Sequence, residues 1–221
     1  MRIVITVVLF WCSLTTSAQD IEGKWLMKLG NSLDVNSDPS VSIIEFKKGT
    51  VKFYGFDSSL SIIDQRRYST VKDSIKIYYD KQTVERPYRF IKENMLEVDY
   101  EIDNNGKKSV FSIRYVKIIP TITKLTKEEI ENNVYGTSLG VVKFDKDLEK
   151  YREEIKKENL DFFNERFFVQ KIDETFVISE YSAGRINGVT LIKKVDSKEM
   201  ILCGVHSDSG EMVLKNMNSK N

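Results

Sequence analysis

The chain has 221 residues, 41% of them hydrophobic and 30% charged, with 34 basic against 33 acidic side chains and a formal net charge of +1. That length suits one large domain or two small ones. The even balance, with Lys and Glu spread along the chain rather than clustered, argues against the basic stripe of a nucleic-acid binder.

The first eighteen residues read as an export signal. Arg2 supplies a positive start, Ile3 to Trp11 an apolar stretch, and Thr16-Ser17-Ala18 the small residues that a signal peptidase needs. Cleavage before Gln19 removes Arg2 and brings the formal charge to zero, and the expected location is periplasmic or secreted. The apolar stretch falls far short of the ~20 residues that span hydrocarbon, and no later stretch reaches that length, so no transmembrane segment is expected. Anchoring as a lipoprotein through Cys12 is the weaker alternative, because bulky Trp11 stands where a lipidation signal wants a small residue. Loss of Cys12 leaves Cys203 alone, which excludes an intramolecular disulfide framework. Its apolar neighbours, Ile201, Leu202 and Val205, favour a small buried hydrophobe over a nucleophile.

From residue 21 to 119 short alternating runs are punctuated by turn residues, as in antiparallel strands joined by hairpins. Strands are expected at 25–29, 41–46, 51–55, 68–71, 75–79, 88–91, 96–102 and 110–118. In 96–102, apolar and acidic residues strictly alternate, so one face is core and the other is water. Turn chemistry joins the runs at Lys47-Lys48-Gly49, Lys72-Asp73, Lys92-Glu93-Asn94 and Asn104-Asn105-Gly106. Eight strands at this spacing are enough to close a small up-and-down barrel, which removes the exposed edges of an open sheet.

After Pro120 the periodicity changes. Thr126-Lys127-Glu128-Glu129 has the form of a capping box and starts a short helix through Ile130. A second helix is expected over 147–163, with Leu148, Tyr151, Ile155 and Phe162 on one face and charge elsewhere, as for a surface helix lying on a β-core. Strands return at 166–171, 175–181, 189–195, 200–205 and 212–214. The organisation is thus mainly β: a signal peptide over 1–18, a barrel over 19–119, and over 120–221 an α+β extension or a second small β-domain. The absence of a low-complexity linker favours a packed arrangement of the two halves.

Gly23-Lys24-Trp25, opening the first strand just behind the leader, resembles the lipocalin-like domains of exported bacterial proteins. The resemblance covers about residues 21–119. It implies that Gly23 and Trp25 sit at the closed end of the barrel, with Arg114 of the last strand packed against the indole. No disulfide ties this barrel to its C-terminal segment, and about a hundred residues follow it, both departures from that pattern. Related fatty-acid-binding barrels hold a carboxylate with an Arg and a Tyr two apart on the final strand. Arg114 and Tyr115 are adjacent, face opposite sides, and do not reproduce that pair.

Catalytic and metal chemistry find little footing. His206 is the only histidine, so neither a His-rich metal site nor a pair of imidazoles is available, and adjacent His206, Ser207 and Asp208 suit an exposed turn better than a triad. Asp145 with Asp147, and Glu153 with Glu154, lack apolar neighbours that would raise a pKa. The turn-rich segment from Ser182 to Gly188 offers glycines and Arg185 as a cradle for an anion, although simple hairpins share that composition. With ten Tyr and twelve Phe in the chain, the better lead is aromatic: Phe53, Tyr79, Tyr88, Phe90, Tyr100, Phe111 and Tyr115 fall on plausible inward faces. In an open barrel they line an apolar pocket with a few hydroxyls; in a filled one they are core. The reading is an exported, non-enzymatic protein, needing no cofactor, that binds a small apolar or amphipathic ligand. The alternative is an envelope-associated interaction or structural module with a filled barrel.

Overall fold

The computed structural model describes residues 20–28, 41–104, 106–137, 140–158, 165–203 and 211–218. The leader, Cys12 and the turn bearing His206 lie outside them. Strands β1 (Gly23–Lys28), β2 (Val41–Lys47), β3 (Thr50–Phe56), β4 (Leu60–Val71), β5 (Ser74–Tyr78), β6 (Thr83–Lys92), β7 (Met95–Asn104) and β8 (Lys107–Lys117) pair antiparallel in chain order, and β8 returns to β1 to close a barrel. The β2–β3, β4–β5 and β6–β7 turns lie at the end where β1 begins. The other three hairpin tips lie at the opposite end, which we call the mouth.

Local chemistry makes these hairpins. Lys48 and Gly49 take φ of 48° and 75°, the left-handed pair that a two-residue turn between twisted strands demands. Gly23 has a φ of +123°, and a Cβ there would stand 3.0 Å from Cε of Lys117, so the opening of β1 requires glycine.

Strands β9 (Tyr135–Thr137), β10 (Gly140–Val142), β11 (Arg166–Ile172), β12 (Thr175–Ser182), β13 (Arg185–Val195), β14 (Glu199–Cys203) and β15 (Glu211–Asn216) form a second antiparallel sheet in the order β10-β9-β15-β14-β13-β12-β11. Helix α1 (Lys127–Glu131) begins with the reciprocal capping box of Thr126 and Glu129. Helix α2 (Leu148–Glu158) buries Tyr151 against Phe168 and Tyr181, with Leu148 and Ile155 alongside; Phe162 lies outside the described residues. The segment 182–188 is no anion cradle. Ala183 and Gly184 make a tight turn at φ of 48° and 75°, and β13 starts at once with exposed Arg185.

The two sheets share a core. One wall of the barrel is apolar on both faces: Trp25, Ile44, Val51 and Tyr115 point inward, whereas Leu26, Ile43, Tyr54, Phe56 and Val116 pack outward against Phe168, Val177, Tyr181 and Leu191 of the second sheet. Polar contacts pin this interface at both ends. Lys24 Nζ meets Asp173 at 2.5 Å. On the mouth side, the Tyr181 hydroxyl donates to the Asp57 carbonyl at 2.9 Å while Arg152 pairs with the Asp57 carboxylate. The second sheet's far face is buried as well, by Ile130, Tyr135 and Phe144 over Val169, Ile192 and Met200.

Trp25 is fully buried, its indole N–H donating to the Ile21 carbonyl at 2.8 Å. Arg114 does not pack against it. The register sets Trp25 opposite Lys117, whose Nζ lies 5.3 Å from the ring centroid, and places Arg114 on the outer face. There Arg114 Nε binds Glu97 at 2.8 Å, and Arg89 completes a cross-strand triad with the same carboxylate. Glu97 is consequently only 5% exposed, so the acidic side of β7 is not simply water-facing. Truncating Trp25→Ala is expected to lower stability in a denaturant titration by about 3–5 kcal/mol, the usual cost of deleting a buried large aromatic. Arg114→Ala, at a half-exposed salt bridge, is expected to cost less.

Candidate functional site

The seven aromatic candidates divide by height in the barrel. Tyr88 and Phe90 pack edge to face at 5.9 Å, and Phe90 lies 6.0 Å from Trp25; both belong to the plug at the closed end. Phe53, Tyr79, Tyr100 and Phe111 stand nearer the mouth and keep partial solvent access. Tyr100 stacks on Phe111 at 5.5 Å, and its hydroxyl meets that of buried Tyr115 at 2.5 Å. Burial raises the pKa of both phenols, with Tyr100's rise offset in part by that hydrogen bond and by Arg86. They therefore act as neutral hydroxyls at ordinary pH. One hydroxyl donates to the other, and the accepting hydroxyl retains a proton to give.

Between these levels lies an interior cleft lined by Ile44, Phe46, Phe53, Ile75, Ile77, Arg86, Val98 and Tyr100, with a volume of about 30 Å³. That is small beside the roughly 300–1,000 Å³ of an ordinary ligand pocket. Arg86 is the one charged residue of the lining, and sequence reasoning missed it because the strand was begun at Tyr88. The signal was available: Val84, Arg86, Tyr88 and Phe90 alternate, and all four face inward in β6.

Two neighbours explain the position of Arg86. The β6–β7 ladder runs from the pair Lys92–Met95 to the pair Tyr88–Val98 and stops there. The next residue of β6 is Pro87, which has no N–H to continue it. Above that stop, β6 and β7 meet through side chains, with the Arg86 guanidinium stacked 3.9 Å from the Tyr100 ring centroid. Such a contact is worth about 0.5–2 kcal/mol, depending on how far it is desolvated, and Arg86 is half-buried.

No carboxylate pairs with Arg86 among the described residues, and its buried Nε lacks a hydrogen-bond partner. Arg66 on β4, two strands away, makes the contrast. It forms ion pairs with Asp64 at 3.1 Å and Asp80 at 3.9 Å, although its Nε lacks hydrogen-bond geometry. The barrel thus supplies counter-charges to one interior arginine and none to the other.

A second, shallower groove of about 160 Å³ lies where the closed end of the barrel meets the second sheet, and includes Lys92, Met95, Lys117, Lys193, Cys203 and Glu211. Cys203 is half-buried, with its thiol pKa raised by burial and then by Glu211, while Lys193 acts the other way. This environment disfavours a thiolate nucleophile. No cluster of three or more potential metal ligands occurs among the described residues, and no helix there is long and apolar enough to cross a membrane.

No known family model matches the chain, and no curated protein matches its sequence. The site therefore rests on its own geometry. If Arg86 is held for a ligand at the expense of stability, Arg86→Met is expected to raise stability in a denaturant titration by about 1 kcal/mol, since it removes a buried Nε that lacks a hydrogen-bond partner. A fall of similar size would mark Arg86 as structural.

Proposed function

We propose that this chain is an exported, non-enzymatic binding protein with a lipocalin-like barrel, and that it receives one end of a small amphipathic molecule through the mouth. The observation that carries the reading is Arg86, its Nε unpartnered, in an interior cleft otherwise lined by aromatic and aliphatic side chains. The cleft is small. The ligand's apolar part is accordingly assigned to the partly exposed rings of Phe53, Tyr79 and Phe111 rather than to a deep cavity. Export rests on residues 1–18, and the lipocalin-like assignment on Gly23-Lys24-Trp25 at the start of an eight-stranded meander.

The second reading, an envelope-associated interaction or structural module, draws support from the small size of the cleft. Exposed Ile62, Ile63 and Val110, at 56%, 66% and 66%, flank the mouth and give such a module an apolar contact surface.

Titrating the mature protein with an apolar fluorescent probe separates the two. The binding reading expects saturation at micromolar probe, at a stoichiometry near one. Phe111→Glu, on the inner face, is expected to abolish the signal, and Glu101→Gln, on the outer face, to leave it unchanged. A signal lost only on removing Ile62 and Ile63 favours the interaction surface, and no signal at all removes the binding reading.

A further inference from the structure

We propose that the upper part of the β7–β8 hairpin, residues 99–104 with 107–112, is a hinged jaw that swings away from β6 and widens the mouth sideways. This rests on reading the barrel as a small-molecule site, whose cleft is small while the jaw is shut. Neither edge of this ribbon is paired. Strand β6 leaves β7 at the pair Tyr88–Val98, and β1 leaves β8 at the pair Lys28–Arg114. Above those points β7 and β8 are laddered only to each other among the described residues. A two-stranded hairpin without further support is marginal in water, and such segments supply the local openings of a fold.

The seam between β6 and β7 is held apart by its own residues. Tyr88 turns its N–H to the β5 side, donating to the Asp73 carbonyl at 2.8 Å. Alternation makes 87 the position whose N–H faces β7, and Pro87 has none to give. Continuing the register sets Arg86 beside Tyr100 and then Glu85 beside Glu101, like charges that destabilise a directly opposed pair. Each carboxylate turns away from the seam, Glu85 to Lys76 at 3.3 Å and Glu101 to Lys108 at 2.5 Å. Side chains alone cross it: Arg86 stacked 3.9 Å from the Tyr100 ring centroid inside, and the Arg89–Asp99 ion pair at 3.3 Å outside. Across the mouth the β3–β4 tip is fastened, because the Tyr181 hydroxyl and the Arg152 guanidinium both hold Asp57, and Phe56 is buried against the second sheet. Motion at the mouth therefore falls to the β7–β8 side. Swinging the jaw carries Tyr100 and Phe111 away from β6 and joins the cleft to the mouth as one larger pocket, a minor state that a ligand makes dominant.

The test places nitroxide spin labels on Thr83→Cys of β6 and Val110→Cys of β8, in the mature chain carrying Cys203→Ser. Their separation is read by pulsed electron double resonance, with and without 1-anilinonaphthalene-8-sulfonate. A control pair sits on Lys52→Cys and Gln65→Cys, which face each other on β3 and β4. The first pair is expected to show two populations, the longer by at least about 5 Å, one strand spacing, and the probe is expected to enrich the longer. The control pair is expected to give one distance that the probe leaves unmoved. Pro87→Ala, which restores the missing N–H, is expected to deplete the longer population and to weaken probe binding. A single distance for the first pair, unchanged by bound probe, overturns the jaw and leaves the small-molecule reading standing. Equal movement of both pairs overturns it as well, since the motion is then not confined to β7–β8. Two populations without probe binding keep the jaw and remove the small-molecule reading, and a single distance without binding removes both.

Discussion

The double-faced wall formed by β8, β1, β2 and β3 is the constraint on which the rest of the molecule depends. Adjacent residues in these strands, Trp25 with Leu26, Ile43 with Ile44, and Tyr115 with Val116, are buried on opposite sides of one layer. Strands buried on both faces cannot slip by one residue without exchanging two apolar sets. The wall therefore fixes the barrel's register and docks the second sheet in the same act. The opposite wall, β5 to β7, has no sheet outside it. Lys76 and Glu85 form a surface ion pair there, worth ~1 kcal/mol or less, and Arg89 covers the buried Glu97 carboxylate.

It is in this one-sided wall that β6 and β7 part company. Pro87 ends their ladder, and Arg86 next to it occupies an interior position that an aliphatic side chain would fill at less cost. The two residues act together: a proline that stops hydrogen bonding beside a charge without a protein partner is a local departure from stable packing in an otherwise consistent barrel. Such departures concentrate where function has been set against stability. The plug of Trp25, Phe90 and Tyr88 below and the docked wall opposite supply the rigidity that lets this position hold its geometry.

Much of this was legible in the sequence, and the misses have physical causes. The capping box at Thr126 expresses one local rule, and the structure follows it, whereas the alternation of β7 gives two faces of which the acidic one is covered at Glu97. The first half of β4 escaped notice because Ile62 and Ile63 are consecutive and both exposed, with the β3–β4 register shifting beside them at Phe53 and Tyr54. Lys117 rather than Arg114 stands over Trp25 because strand register, which a linear pattern does not carry, decides the partner. Glu97 looked solvent-facing because the two arginines that cover it come from neighbouring strands. Arg86 had the correct alternation all along, but a charged residue counts as outward until its strand's register is known.

The central claim is that the barrel receives one end of a small amphipathic molecule beside Arg86. The most direct measurement is the Arg86 Nε–H resonance, followed by nuclear magnetic resonance while dodecanoate is added to the mature protein. The account predicts a shift that saturates at one equivalent, with slowed exchange against water. A resonance unmoved by dodecanoate, or already protected before it is added, would contradict the account.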